Sequence, residues 1–164
     1  MAAPYNLLFL CTGNSARSIM GEALANQLGK GRFRAFSAGS QPRGEIHPMT
    51  LQVLQQAGLS TDSLRSKPWD EFAVPGAPRM DLIITVCDKA AGESCPIWPG
   101  HPITAHWGVE DPATVTGTPE QVQRAFTNAL LLLQHRIGLL LALKIEALDR
   151  LVLETRVREI GQSS

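Results

Sequence analysis

The sequence is poor in cysteine, in aromatic residues and in excess charge of either sign. Only three of its 164 residues are cysteine and one is tyrosine, while fifteen basic residues balance fifteen acidic ones. An odd number of cysteines does not close a disulfide framework, so a reducing cytoplasm is expected, with thiols that are buried, reactive or metal-binding. The balanced charge argues against a nucleic acid or an anionic membrane as partner.

Long uninterrupted hydrophobic runs are also missing. The first ten residues, MAAPYNLLFL, lack the basic segment of a signal peptide, and the apolar stretch 129–143 is interrupted by Gln134, His135 and Arg136. We therefore expect a cytoplasmic protein with no membrane span. The length fits one domain over residues 1–164, with a core that needs neither disulfides nor metal for stability.

Hydrophobic patterning predicts strands that alternate with helices. The buried strands are short and apolar, which is typical of a parallel sheet, and the alternation predicts an α/β fold, a doubly wound parallel sheet with helices on both faces. The pattern places strands at 5–11, 32–39, 80–87 and 102–109, and helices at 18–28, 48–58, 119–143 and 149–160.

The loop between the first strand and the first helix carries the most specific signal. Helix N-termini bind anions, and a thiol placed there, at Cys11, is expected to have a pKa below the usual value of about 8.5 and to act as a nucleophile. Arg17 can grip two oxygens of one oxyanion. The predicted oxyanion-binding residues are Thr12, Gly13, Asn14, Ser15, Ala16 and Arg17.

Simpler interpretations of this loop exist. An isolated Cys-x5-Arg pattern is compatible with Cys11 as a small buried hydrophobe and Arg17 as a solvated helix residue. The ordered combination of strand, thiol, glycine, asparagine, arginine, serine and helix favours the anion-binding interpretation. Nucleotide-binding loops are excluded, because the segment contains neither GxGxxG nor a Gly-Lys-Ser/Thr ending.

Five stretches of this sequence are similar to one known family. The sequence resembles the low-molecular-weight protein tyrosine phosphatase superfamily, and within it the arsenate reductase branch. The resemblance implies a four-stranded parallel sheet in the order 2-1-3-4 with flanking helices, which agrees with the patterning above. The five stretches are CTGNSARS at 11–18, FSAGS at 36–40, TVCD at 85–88, CPIWPG at 95–100 and HWGVEDPA at 106–113.

The implied strand order brings two of the cysteines together. Cys11 and Cys87 would lie at the carboxyl ends of adjacent strands, about 4.8 Å apart, where such sheets bind ligands and where a disulfide is plausible after a small movement. Cys95 follows in a glycine-containing segment. The alternatives are a core role for Cys87, a turn role for Cys95, and a zinc site that adds His101 and His106 but lacks short paired spacing.

The resemblance also implies an acid and a thiolate partner. Asp111 precedes Pro112, which favours an extended backbone, and it follows the fourth predicted strand. A carboxylic acid there can protonate a departing oxygen, although an aspartate before proline is also a common turn. By the same resemblance, Ser18 donates a hydrogen bond to the Cys11 thiolate.

The reaction implied by the resemblance is arsenate reduction to arsenite, for arsenic detoxification. Cys11 forms an adduct with arsenate, Cys87 attacks Cys11, and Cys95 then takes over the disulfide. Electrons come from reduced thioredoxin, no cofactor is bound, and phosphate or sulfate mimics the substrate. A tyrosine phosphatase and a thiol redox sensor without turnover remain alternatives, with some residual phosphatase activity also open.

A potassium ion is a further, weak implication of the resemblance. Asn14, Glu22 and Ser37 match positions that hold potassium in the family, but the expected acidic partner falls around Ser66 and Lys67. A capping or surface role is the default interpretation of Glu22. No other metal is predicted.

Overall fold

A parallel sheet of four strands lies at the centre of the fold, with the strand order β2-β1-β3-β4. The structure is a computed structural model that describes residues 4–87, 98 and 100–163. The strand order and the α/β class expected from the sequence are confirmed. The strands are β1 at Tyr5–Leu10, β2 at Phe33–Ala38, β3 at Leu82–Thr85 and β4 at Ile103–His106, and the helices are α1 at Arg17–Leu28, α2 at Pro48–Gln56, α3 at Pro119–Leu141 and α4 at Arg150–Ile160.

The central strand β1 determines which strand ends meet at the edge of the sheet. It pairs in parallel with β2 on one side and with β3 on the other, with Leu10 opposite both Ala38 and Thr85. Its residues 7–10 are fully buried, as expected for a strand covered on both faces. The carboxyl ends of β1 and β3 therefore meet at one edge of the sheet.

The observed strands β3 and β4 are shorter than predicted, because the apolar runs continue past the last regular pairing. Val86 still donates its N–H to the Leu10 carbonyl at 2.9 Å, and Val109 donates to the Val86 carbonyl at 3.0 Å. These bonds extend the sheet edge beyond the regular strands. They bring Cys87 alongside the loop that follows β1.

Two hydrophobic clusters cover the two faces of the sheet. On one face, Phe9 and Trp107 pack with residues of all four helices in the larger cluster. On the other face, Leu8 and Leu10 pack against Phe72, from a 3-10 turn at Trp69–Phe72 that the sequence pattern did not predict.

The last two helices both begin at a residue whose side chain caps the helix. Thr118 and Gln121 form a reciprocal capping box at the start of α3, and the Asp149 side chain caps α4. The indole N–H of Trp107 donates to the Val157 carbonyl at 2.9 Å, which fixes α4 beside β4. Among the described residues, no helix is long and apolar enough to cross a membrane.

Candidate active site

A cavity of about 810 Å³ opens at the carboxyl edge of the sheet. It brings together the whole predicted oxyanion loop, two of the three cysteines and the predicted acid. The cavity is lined by Cys11, Thr12, Gly13, Asn14, Ser15, Ala16, Arg17, Gln41, Arg43, Cys87, Gly108, Val109, Glu110, Asp111 and Ala113.

Three backbone carbonyls of the loop after β1 accept hydrogen bonds from residues of the segment 41–50. The Thr12 carbonyl accepts from the Gln41 N–H, and the Gly13 carbonyl accepts from the Arg43 N–H, both at 3.0 Å. The Ser15 carbonyl accepts from the Thr50 hydroxyl at 3.0 Å. Because a trans peptide points its N–H opposite to its carbonyl, the Gly13 amide, which follows the Thr12 carbonyl, turns to the other side and bonds the Cys11 sulfur, whereas the Asn14 N–H donates to the Cys11 carbonyl at 3.3 Å. The loop is therefore an anion cradle at the N-terminus of α1.

Asn14 holds the tightest bend of the loop. It has a φ of 44°, in the left-handed region that asparagine tolerates better than most residues. Its side chain is fully buried, donates to the Ser18 hydroxyl at 2.8 Å and accepts from the Lys67 N–H at 2.9 Å. The implied bond from Ser18 to Cys11 is not among the contacts of the described residues, so Ser18 supports the loop through Asn14.

Arg17 connects the loop to the segment after β4. One terminal nitrogen donates to the Val109 carbonyl at 2.8 Å, and the other lies 3.5 Å from a carboxylate oxygen of Asp111. The buried Nε of Arg17 has no hydrogen-bond partner among the described residues. A buried donor without a partner, on an arginine that lines the cavity, fits a site built for an oxyanion.

Asp111, the predicted acid, lines the cavity beside Arg17. Its side chain is one-third exposed and accepts from the Ala113 N–H at 3.0 Å. It thus caps a short 3-10 turn at Pro112–Thr114 while its second oxygen faces Arg17. Asp111 therefore combines the turn role and the position expected of the acid.

Cys11 and Cys87 are adjacent, reduced and hydrogen-bonded to each other. The hydrogen bond to Cys87 raises the pKa of Cys11 most, burial raises it further, and Arg17 and the Gly13 N–H lower it. The expectation of a lowered pKa for Cys11 is therefore wrong for this resting state. Arg17 and the Gly13 N–H do lower the pKa as expected, but the hydrogen bond to the second thiol outweighs them.

The Cys87 sulfur is held by the loop itself. The Thr12 N–H donates to the Cys87 Sγ at 3.4 Å, and the Thr12 hydroxyl lies 3.7 Å from it. Cys95 lies outside the described residues. No cluster of metal-ligating side chains occurs in the part of the chain that the structure describes, and His106 contacts the Thr85 hydroxyl at 2.8 Å.

The three candidate potassium ligands lie behind the loop, and a lysine is among them. The Lys67 Nζ lies 3.4 Å from a carboxylate oxygen of Glu22 and 3.5 Å from the Ser37 hydroxyl. Burial lowers the pKa of Lys67, whereas the charge of Glu22 raises it. These residues do not fit a bound metal ion while an ammonium stands between them, because two cations would repel each other in a buried space. Glu22 is buried rather than at the surface.

Six residues that line the cavity were not among the predicted site residues: Gln41, Arg43, Gly108, Val109, Glu110 and Ala113. Gln41 and Arg43 come from the segment between β2 and α2, and the guanidinium Nε of Arg43 lies over Gly13, 3.3 Å from where a Cβ would project. No periodic pattern marks this segment. The only signal was its position after β2, at the same carboxyl edge as Cys11.

Comparisons with known proteins agree with this site. The sequence profile described as "Low molecular weight phosphotyrosine protein phosphatase" matches residues 6–151, which include Cys11, Cys87 and Asp111. A protein named arsenate reductase from Bacillus subtilis (strain 168) is 36% identical over 115 residues, covering 70% of this chain and 79% of that protein.

Solved structures give the same result. One described as "An arsenate reductase in the phosphate binding state" matches with a TM-score of 0.68 and 26% identity, over 84% of this chain and 97% of the other. The crystal structure of an arsenate reductase from Archaeoglobus fulgidus matches with a TM-score of 0.60 and 28% identity, over 80% of this chain and 98% of the other. The matched residues 6–151 therefore include all but the first residue of the sheet's four strands and the whole loop that carries Cys11.

Proposed function

Because this chain belongs to the low molecular weight phosphotyrosine protein phosphatase family, we propose that it is an arsenate reductase that serves arsenic detoxification. The main support for this proposal is the presence of a second thiol in the cavity. Cys87 lies hydrogen-bonded to Cys11 inside an oxyanion cradle. Hydrolysis of a phosphate ester needs one thiol, whereas reduction of an oxyanion needs two electrons, which a pair of thiols supplies.

The first step joins Cys11 to arsenic. The loop amides and the Nε of Arg17 hold the arsenate oxygens, a sulfur–arsenic bond forms, and an arsenic–oxygen bond breaks. Asp111 gives the leaving hydroxide its proton, as a general acid. The thiol proton of Cys11 passes to solvent and Asp111 regains a proton from solvent, so that one water molecule is released.

The second step reduces the arsenic. The Cys87 sulfur attacks the Cys11 sulfur, a disulfide forms, and the sulfur–arsenic bond breaks with its electron pair left on arsenic. Arsenic(V) becomes arsenite, and the two sulfurs are oxidised to one disulfide. The proton of the Cys87 thiol ends on an arsenite oxygen. The contact of Cys87 with Cys11 and with the Thr12 N–H supports this geometry.

The third step returns the enzyme to its reduced form. Cys95 attacks Cys87 and moves the disulfide to the 87–95 pair, and reduced thioredoxin then reduces it. Thiol–disulfide exchange of this kind conserves electrons, because each attack forms one disulfide and releases one thiolate. The protein needs no bound cofactor in this scheme and works in the reducing cytoplasm.

The walls of the cavity favour a small inorganic oxyanion over an aryl phosphate ester. Among its described lining residues none is aromatic, and Ala113 stands next to the Asp-Pro pair. The lining residues instead include the charged side chains of Arg43 and Glu110. The aromatic ring of an aryl phosphate has no aromatic side chain to stack on among these residues. Arsenate or phosphate, in contrast, can accept hydrogen bonds from the donors of the cavity.

The deciding experiment compares substrates under two detection schemes. Reduced protein is mixed with arsenate, thioredoxin, thioredoxin reductase and NADPH, and separately with an aryl phosphate. We expect continuous NADPH loss that depends on arsenate and is abolished in Cys11→Ser and Cys87→Ser. Phosphate release without arsenate-dependent NADPH loss would identify a phosphatase, and neither signal would identify a sensor. Repeating the assay with glutaredoxin in place of thioredoxin tests which of the two proteins donates the electrons.

A further inference from the structure

A buried ion pair lies directly behind the oxyanion loop. Lys67 and Glu22 are 5% and 7% exposed, and their charged groups are 3.4 Å apart. The Ser37 hydroxyl donates to the same Glu22 oxygen at 2.5 Å. The Lys67 Nζ also donates to the Arg65 carbonyl at 2.9 Å. An ammonium has three N–H donors, and here Glu22, Ser37 and the Arg65 carbonyl offer three acceptors.

The same lysine is bonded to the loop through its backbone. The Lys67 N–H donates to the Asn14 side-chain oxygen at 2.9 Å, and the Lys67 carbonyl accepts from the Gly39 N–H at 3.0 Å. Asn14 is the left-handed residue of the cradle. One residue therefore connects α1, β2 and the loop that holds Cys11.

We propose that Lys67 is a positioning residue for the oxyanion loop, and that its ammonium is a built-in cation that stands where a monovalent ion would otherwise balance Glu22. The ammonium holds the backbone of residues 65–67 against Glu22 and Ser37. The backbone N–H of Lys67 then fixes Asn14 and, through it, the amides that face the cavity. The proposal rests on the oxyanion site of the proposed function but not on arsenate being its substrate.

The energetics of buried charge explain why the lysine matters. A carboxylate buried without a counter-charge is costly, so removal of one partner of a buried pair is more destabilising than removal of both. If Lys67 is replaced by alanine, a space about the size of an ammonium ion is left beside the loop. The oxygens of Glu22 and Ser37 line this space and make it negatively charged. A small cation from solution can enter that space, since both an ammonium ion and K⁺ suit oxygen ligands.

The test measures the affinity for inorganic phosphate by calorimetry, in a buffer whose only cation is the bulky N-methylglucamine. We expect Lys67→Ala to bind phosphate about tenfold more weakly, because a lost loop-supporting hydrogen bond costs about 1.4 kcal/mol, which is a factor of ten. Added NH₄⁺ or K⁺ should restore the affinity with saturation in Lys67→Ala and leave the wild type unchanged. Lys30→Ala, at an exposed lysine, is the matched control and should behave as the wild type.

A double variant keeps the test decisive if Lys67→Ala folds poorly. Lys67→Ala/Glu22→Gln has no buried unpaired carboxylate, so it should fold, bind phosphate weakly and show no response to NH₄⁺ or K⁺. The proposal is overturned if folded Lys67→Ala binds phosphate as tightly as the wild type, if neither cation restores its affinity, or if the double variant keeps the cation response. A wild type that binds phosphate but does not reduce arsenate would contradict the proposed function alone.

Discussion

Cys11 and Cys87 share a hydrogen bond at the carboxyl ends of β1 and β3. The bond exists because β3 pairs directly with β1 and the sheet edge continues through Val86 to the loop. The two sulfurs need only a small movement to form a disulfide. The same contact is the largest cause of the raised pKa of Cys11.

The thiol pair makes a prediction about pH. Cys87→Ala removes the hydrogen bond that raises the pKa of Cys11, so the thiolate of Cys11 should form at lower pH than in the wild type. The rate of alkylation of Cys11 by iodoacetamide, followed across pH with peptide mapping, should show a midpoint shifted towards acid. Arg17→Leu removes a group that lowers the pKa of Cys11, so its midpoint should shift towards alkali. Equal midpoints in all three proteins would refute the assigned causes.

The contacts of Arg17 predict that its substitution weakens oxyanion binding. Its two terminal nitrogens contact Val109 and Asp111, while its buried Nε has no hydrogen-bond partner among the described residues. Arg17→Lys keeps the charge but loses the fork, and we expect arsenate-dependent kcat/KM to fall about 100-fold, as for loss of one oxyanion donor. Phosphate affinity, measured by calorimetry, should fall as well. A variant with wild-type kinetics would show that charge alone is sufficient.

Substitution of Asp111 is expected to lower the turnover of arsenate much more than the affinity for phosphate. Asp111→Asn keeps the size of the side chain and the acceptor for the Ala113 N–H but removes the acid. Turnover of arsenate should fall by about 10² to 10⁴, the usual contribution of a general acid, while phosphate affinity stays within a few fold. Steady-state kinetics and calorimetry on the same preparation measure both. Loss of binding with turnover per bound arsenate unchanged would assign Asp111 to the cradle instead.

Gly39 makes a prediction about stability. A Cβ at this position would collide with the backbone carbonyl oxygens of Cys11 and Thr12. Gly39→Ala should therefore displace the loop from β2 and lower the free energy of unfolding by about 1–3 kcal/mol, as overpacking does. The control is Gly138→Ala in α3, where a Cβ meets nothing within 4 Å and alanine should stabilise by about 0.5–1 kcal/mol. Urea unfolding measures the free energy of unfolding of both variants. We expect it to fall in Gly39→Ala and to rise in Gly138→Ala, and a fall of equal size in both would contradict the collision at Gly39.

The parts of the fold that sequence could predict are those with local patterns. Hydrophobic patterning predicted β1 and β2 almost to their ends, and it placed the start of α3 at residue 119 as observed. The loop from Cys11 to Arg17 was predicted because thiol, glycine, asparagine and arginine lie next to each other in sequence. Local patterns fail where long-range contacts decide, as in the 3-10 turn at Trp69–Phe72.

The parts of the site that sequence did not predict depend on contacts between distant segments. The raised pKa of Cys11 comes from Cys87, and no local pattern gives the direction of that hydrogen bond. The role of Lys67 depends on its burial beside Glu22, while the sequence around it is charged and proline-containing and resembles a solvated loop. Its position was noted only as the place where an acidic partner was expected.

The central claim is that Cys11 attacks arsenate and that Cys87 takes up the resulting oxidation. The most direct measurement mixes fully reduced protein with a single equivalent of arsenate and no external reductant, then quantifies arsenite and maps disulfides by mass spectrometry. The account predicts about one arsenite per chain, with a Cys11–Cys87 disulfide trapped in Cys95→Ser and no arsenite from Cys11→Ser. Arsenite formed by Cys11→Ser, or formed by the wild type while Cys11 and Cys87 both remain reduced, would contradict it.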